Sequence, residues 1–295
     1  MSKHAAVLCQ AGATCYETPL PSALYWHTVL AVWYYLEQIS FGKMNKNDSS
    51  RGIHSDCTPL PGVLYGIGVG PGAPDLLTLR AISVLQSVSI ILAAASPKND
   101  DSLALSIAAP HLPKHTQTVR LDFPMTRDKE ALRAAWENNA RTVATILRSG
   151  RDAAFLTLGD PLIYSTFGYL MRTLESFAPE LPVRVIPGIT SFQEAAAKTR
   201  TVLCEGEENL LVVSGINTPE RLKAALSLAD SAVILKTYRN AAAICEALAA
   251  SGGNRETRFV SRLGLEGEII AEGLDNVPEK PHYLSLILAP PRRKT

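Results

Sequence analysis

Three short apolar runs in the sequence each end in a bend of glycine and proline, and this recurrence restricts the fold more than any other feature. VLYGIGV (63–69) runs into Gly70-Pro71-Gly72, AAFLTL (153–158) into Gly159-Asp160-Pro161, and VRVI (183–186) into Pro187-Gly188. Glycine lets the backbone turn sharply or approach a neighbour, and proline fixes φ, so such bends end a strand abruptly. After the first bend Leu76, Leu79, Ile82 and Leu85 recur at helical spacing from about Asp75, and after the second Leu170 and Leu174 do so before Pro179. VSIILAA (88–94) is apolar without alternation, as in a strand buried on both faces. A helix opening near Asp128 places Leu132, Trp136, Ala140, Val143 and Leu147 on one side and closes at Gly150. Strand, bend and helix in repetition predict an α/β fold with a parallel sheet.

The spacing changes after about residue 190. LLVVSG (210–215) and AVILKT (232–237) are predicted strands with a helix from Pro219 to Leu228 between them, and a helix from Ala241 to Ala250 closes at Gly252-Gly253. RFVSRL (258–263), GEIIAEG (267–273) and HYLSLILA (282–289) follow with short turns between them, which favours antiparallel pairing and hence a mixed sheet. The organisation expected is an extension and linker over 1–60, an α/β domain over 61–190 and a second over 191–295. Residues 45–61 are polar and rich in turn formers, with Met44 just before them, so 1–43 reads as either a small appendage or the product of an over-extended start. The apolar stretch from Ser22 to Leu36 is short for a membrane span and lacks the flanks of a signal peptide.

A formal net charge of +1 gives no global basic field for nucleic acid or an anionic membrane, so an acidic ligand has to be met by a local patch. The five cysteines, without a C-x-x-C pair, read as reduced cytoplasmic thiols. His111 and His115 stand at metal-like spacing, but Pro113 between them opposes a regular helix, and a surface loop with no metal is predicted.

In an open parallel sheet, ligands bind at the carboxyl ends of the strands, where all three bends fall. Each bend alone reads as a tight turn; three at corresponding positions favour a shared site. A dinucleotide reading of Gly68-x-Gly70-x-x-Ala73 fails, because the next strand ends without an acidic residue for a ribose and Pro71 removes an amide donor. There is no Gly-Lys-Ser/Thr of a P-loop, no G-x-S-x-G elbow and no H-E-x-x-H pair.

YGIGVGPGAPDLLTLRA, LGDPLIYSTFGYL and VIPGITSFQEAAA resemble, in order and spacing, the three loops of the tetrapyrrole (uroporphyrinogen/corrin) methylases, over roughly residues 63–290. One departure is Ala73, where many members carry Asp. LDFPMTRDKEALRAAW followed by the Gly-Asp-Pro motif is similar to the branch that methylates precorrin-2 at C20, and SPKNDDSLALSIAAPHL to the form of that branch that takes the cobalt-containing substrate (cobalt-factor II). The resemblance implies a homodimer whose two α/β domains fold S-adenosylmethionine into the cleft between them, with S-adenosylhomocysteine as product. Matched position by position, it implies cofactor contacts at Pro71, Gly159, Asp160, Ile163, Thr190, Ser191 and Thr237. It also implies a substrate trough shaped by the first loop, at Gly70 and Gly72.

Methyl transfer from a sulfonium is an in-line displacement in which alignment of the reactants accounts for about 7–11 kcal/mol of barrier lowering. That suits motifs of backbone and small side chains, and no side chain is assigned as general base. Asp160 is expected to organise its loop ahead of acting on the sulfonium; Tyr164, Ser165 and Thr166 are placed to face the cleft, with a helix start as the alternative role for Ser165 or Thr166. The polycarboxylate substrate calls for cations, for which Lys98, Arg120, Arg127, Lys236 and Arg239 are candidates; Lys236, ending an apolar strand, is the foremost. The alternatives are the metal-free precorrin-2 enzyme, another ring-carbon methylase, a non-catalytic adenosyl- or tetrapyrrole-binding module, and a nicotinamide dehydrogenase.

Overall fold

The computed structural model describes residues 60–95, 102–214, 218–251 and 256–291. The chain divides into a unit of Met1–Cys57 and a unit of Thr58–Thr295, and every described residue belongs to the second. The expected extension, Lys98 and the Gly252-Gly253 helix stop lie outside the described residues.

Five parallel strands form the first sheet: β1 (Leu64–Gly68), β2 (Ile90–Ala95), β3 (Gln117–Asp122), β4 (Ala153–Thr157) and β5 (Val183–Ile186), in the order β3-β2-β4-β1-β5. Helices α1 (Leu79–Ser87) and α2 (Leu103–Ala108) cover one face, where Ala81, Leu85, Ala104 and Ile107 meet Ile67, Ile91 and Leu156. Helices α3 (Lys129–Arg148) and α4 (Phe167–Phe177) cover the other, where Val143, Leu147, Leu170 and Leu174 meet Leu64, Leu92 and Phe155. With both faces covered, β4 is buried at every residue and has no alternation to show.

The helix ends follow their caps. Asp128 accepts the Glu130 and Ala131 amides and starts α3, and Gly150 at φ +79° supplies the left-handed residue that stops it. The helix expected from Asp75 begins later. Pro74–Leu76 makes one 3-10 turn, the chain extends, and Thr78 caps α1 through the Ala81 amide. The buried stripe is therefore Leu77, Ala81 and Leu85, while Leu79 is 86% exposed: the period is as expected and the phase is not.

The second sheet comprises β6 (Leu210–Ser214), β7 (Ser231–Leu235), β8 (Arg258–Ser261), β9 (Ile269–Glu272) and β10 (Ser285–Ala289), in the order β6-β7-β10-β8-β9. The β6/β7 pair is parallel and the others are antiparallel, so the sheet is mixed as predicted. Helices α6 (Pro219–Leu226) and α7 (Ala241–Ala250) bury Leu222, Leu226, Ile244 and Leu248 on one face. The opposite face holds Val233, Val260, Leu286 and Leu288, packed with Ala195 of α5 (Ser191–Thr199), the helix that leaves the third bend. A helix rooted at the end of the first sheet thus closes the core of the second.

Candidate functional site

β1 lies between β4 and β5, with Gly68 opposite Thr157 and Ile67 opposite Ile186. The three bends therefore leave adjacent strands at the same end of the sheet, and they interlock. The Gly159 amide donates to the Gly70 carbonyl at 2.7 Å, and the Gly70 amide returns a longer bond to the Gly159 carbonyl at 3.4 Å. Both glycines take positive φ, +79° and +70°, a conformation that a side chain disfavours. The Asp160 carboxylate joins the second bend to the third: Oδ1 accepts the Leu162 amide at 2.8 Å and Oδ2 the Gly188 amide at 3.1 Å. A Cβ at Gly188 would sit 2.1 Å from the Gly159 carbonyl oxygen, so the third bend fits against the second only without one.

The third bend ends in a capping box. Thr190 is buried, its Oγ1 accepts the Gln193 amide at 3.4 Å, and its own amide donates to Gln193 Oε1 at 2.9 Å. The helix-start role after the second bend falls to Ser165, whose hydroxyl accepts the Phe167 amide at 3.1 Å and bonds Thr157 Oγ1 at 2.8 Å; Thr166 makes no side-chain cap. The first bend also touches the second half of the molecule. A Cβ at Gly72 would meet the Leu263 carbonyl oxygen at 2.0 Å, in the turn between β8 and β9.

Between the two sheets this framework leaves a cavity of about 340 Å³, within the ordinary range for small-molecule sites. From the first half it is lined by Pro71, Leu156, Leu158 and the run Ile163 to Thr166, and from the second by Leu235, Lys236, Val260, Leu263 and Tyr283 to Leu286. Of the positions the sequence singles out, Pro71, Ile163, Tyr164, Ser165, Thr166, Ser191 and Lys236 line the cavity. Gly159, Asp160 and Thr190 build the bends around it rather than its surface, and Gly70 and Gly72 hold the first bend to its neighbours. Thr237 stands behind the wall, fully buried, its hydroxyl 2.6 Å from that of Ser285, which does line the cavity. Arg120 and Arg127 are exposed and do not line it.

Lys236 is the one charged side chain among the described lining residues. It holds φ +57° at the end of β7, makes no ion pair among the described residues, and titrates below an ordinary lysine, chiefly because burial disfavours its charge and then because Arg239 is near. Arg239 lies 5.8 Å over the Tyr238 ring, and Tyr238 and Tyr283 are 5.0 Å apart. Burial pushes the Tyr283 phenol up, so it stays protonated at the cavity wall.

Sequence reasoning did not single out Tyr283, Leu263 or Ser285. They sit at turns and strand starts of the second half, outside the three bends that end the first sheet's strands, and they reach the site through the packing of one sheet against the other. Among the described residues, no group of three His, Cys, Asp or Glu side chains is placed to hold a metal.

Residues 63–275 match the family model of the tetrapyrrole (corrin/porphyrin) methylases. The cobalt-precorrin-2 C(20)-methyltransferase of Salmonella typhimurium is 35% identical over 229 residues, covering 77% of this chain and 95% of that protein. The precorrin-2 C(20)-methyltransferase of a Sinorhizobium species is 30% identical over 236 residues, covering 78% and 95%. Among solved structures, the uroporphyrin-III C-methyltransferase of Thermus thermophilus complexed with S-adenosylhomocysteine shares the fold, with a TM-score of 0.56 at 22% identity over 78% of this chain and 97% of that one.

Proposed function

The chain belongs to the tetrapyrrole (corrin/porphyrin) methylases, and from that premise we propose that it transfers a methyl group from S-adenosylmethionine to carbon 20 of cobalt-precorrin-2 in cobalamin biosynthesis. The observation that carries the reading is the convergence of the three bends, each part of a motif that resembles the family, on one apolar cavity between the sheets. The relatives fit it, with the cobalt-precorrin-2 enzyme at 35% identity and the metal-free precorrin-2 enzyme at 30%. The cobalt belongs to the substrate.

The residues suit the cofactor. Pro71, Leu156, Ile163 and Leu263 offer apolar faces to a purine, and Thr166 and Ser191 carry hydroxyls with no hydrogen-bond partner among the described residues. No acidic side chain among the described lining residues competes for the sulfonium. When bound, S-adenosylmethionine supplies a methyl group on a sulfur that leaves readily. The protein contributes alignment: the stitched bends fix one wall and the second sheet the other, so that the electron-rich macrocycle carbon would take the methyl as the carbon–sulfur bond breaks, with the proton of carbon 20 released to solvent. The proposal includes a homodimer, as the family resemblance implies, working in the cytoplasm, as the scattered cysteines suggest. No helix among the described residues is long and apolar enough to cross a membrane, and sedimentation should show the mass of two chains.

Lys236 is the candidate partner for a substrate carboxylate. A hydrogen bond to a charged group contributes about 1.5–3 kcal/mol, so Lys236→Ala should raise the KM for the tetrapyrrole roughly tenfold to a hundredfold while changing adenosylhomocysteine affinity far less. Equal losses in both would remove Lys236 from the substrate side. Its depressed pKa means that, as pH rises, the ammonium loses its charge earlier than an exposed lysine. Tetrapyrrole affinity should therefore fall on the alkaline side in the wild type, and Lys236→Arg should abolish that fall because the guanidinium stays charged. The same shift means the folded state penalises the charged lysine, a penalty that lifts as pH climbs toward the ordinary lysine range.

The reaction itself is tested by incubating the protein with methyl-labelled S-adenosylmethionine and, separately, cobalt-precorrin-2 and metal-free precorrin-2, then locating the label by NMR. The expected result is label at C20, with faster turnover of the cobalt-containing substrate. Label at another ring carbon, or turnover confined to the metal-free compound, contradicts the proposal.

A further inference from the structure

Four non-glycine residues among the described ones hold left-handed backbone: Tyr164, Arg200, Lys236 and Arg262. Arg200 ends α5, and Arg262 lies in the turn after β8. The other two line the cavity. At Tyr164 φ is +51°, a conformation that costs a bulky L-residue roughly 1–3 kcal/mol and persists where its surroundings over-determine it. The surroundings here are specific. The run from Asp160 to Ser165 is fixed at one end by the Asp160 bonds to Leu162 and Gly188, and at the other by the Ser165 bond to Thr157. From the tip of that run the Tyr164 hydroxyl donates to the Val212 carbonyl at 3.0 Å, in the middle of β6.

β6 is an edge strand of the second sheet, with a strand partner on one side, β7. An edge strand presents backbone groups that no neighbouring strand satisfies. Tyr164, which itself lines the cavity, supplies a donor to that edge and so ties the run after the Gly-Asp-Pro bend to the second sheet beside the cavity. Tyr164 is 52% exposed and its neighbour Ile163 44%, so the tie runs over the solvent side of the cavity. A single neutral hydrogen bond in that position is weak enough to open and close as ligand passes.

We propose that Tyr164 is a positioning residue that straps the mouth of the donor cavity and sets how tightly the adenosyl ligand is held. The proposal rests on the adenosyl-binding reading of the cavity. Two measurements test it on the full chain: the affinity for adenosylhomocysteine by titration calorimetry, and amide exchange in segments 160–166 and 210–214 without ligand. Tyr164→Phe keeps the ring and deletes the strap. It should weaken adenosylhomocysteine binding about threefold to tenfold and speed exchange in both segments, with little change in Tm. Tyr164→Gly, which suits the backbone conformation but loses the ring as well, should weaken binding further.

Unchanged exchange in Tyr164→Phe would overturn the proposal, because the bond would not be holding the two segments. Faster exchange with unchanged affinity would overturn it too, because the strap would not position the donor. A wild type that does not bind adenosylhomocysteine counts against the adenosyl reading and, with it, against any role of the strap in holding that ligand; the exchange measurement still decides whether the strap exists.

Discussion

Gly188→Ala should cost about 3 kcal/mol or more and lower the melting temperature by roughly 6–12 °C, the larger share of overpacking penalties seen where nothing can yield. The added methyl would lie 2.1 Å from the Gly159 carbonyl oxygen, 2.7 Å from Gly68 Cα and 2.8 Å from the Gly68 carbonyl carbon. All three are backbone atoms, held by the β1/β4 and β1/β5 pairings, so no rotamer relieves the contact. The three bends would have to separate, and adenosylhomocysteine binding should be lost with them. Gly168→Ala is the matched control. It lies in α4, its methyl would meet the mobile end of Arg172 at 3.3 Å, and alanine favours helix over glycine by about 1 kcal/mol. That variant should melt at or above the wild-type temperature. A Gly188→Ala protein that melts with the wild type would mean that the bends do not depend on one another.

Asp160→Ala has the next largest expected effect. The carboxylate serves two backbone amides in two different bends, and its removal leaves both without their acceptor. A loss of about 2–3 kcal/mol follows from the usual size of bonds to a charged group. Asp160→Asn, which keeps one acceptor oxygen and turns a donor on the other amide, should fall between. Ligand binding separates the two roles open to this residue. If Asp160 organises the loop, S-adenosylmethionine and S-adenosylhomocysteine should lose affinity alike, by roughly tenfold or more in Asp160→Ala. If its charge acted on the sulfonium, the positively charged ligand would lose far more than the neutral one. The geometry favours equal loss, because both carboxylate oxygens are occupied and Asp160 does not line the cavity.

What the sequence discloses and what it hides divide along physical lines. Strands buried on both faces, such as β2 and β4, need unbroken apolar runs and are visible as such. Bends that demand glycine are equally plain, because at Gly70, Gly159 and Gly188 a side chain would meet strain or backbone. β3 is an edge strand with a mostly exposed pattern, so Gln117 to Asp122 carries little apolar signal. Helix α2, six residues behind a Ser102 cap, is too short to show a period. The phase of α1 is hidden because Leu76 and Leu79 fall in step with a helix that the chain does not begin until Thr78 caps it.

The site divides in the same way. Beside Lys236, much of its wall comes from Leu235, Val260, Leu263 and Tyr283 to Leu286, residues ordinary in a sequence and made neighbours by the packing of two sheets. Thr237 is buried behind its hydrogen-bonded partner Ser285, which lines the cavity, and its contact with the cofactor stays a proposal. Glycines 70 and 72, assigned by resemblance to the substrate trough, are accounted for locally by backbone contacts to Gly159 and Leu263, which leaves their part in substrate binding as a proposal.

The most direct test of the account is a crystal structure with S-adenosylhomocysteine. The ligand is expected in the cavity between the sheets, in contact with Pro71, Ile163 and Ser191, with the bends at Gly70, Gly159 and Gly188 still packed together. Ligand density elsewhere on the protein, with that cavity vacant, would contradict it.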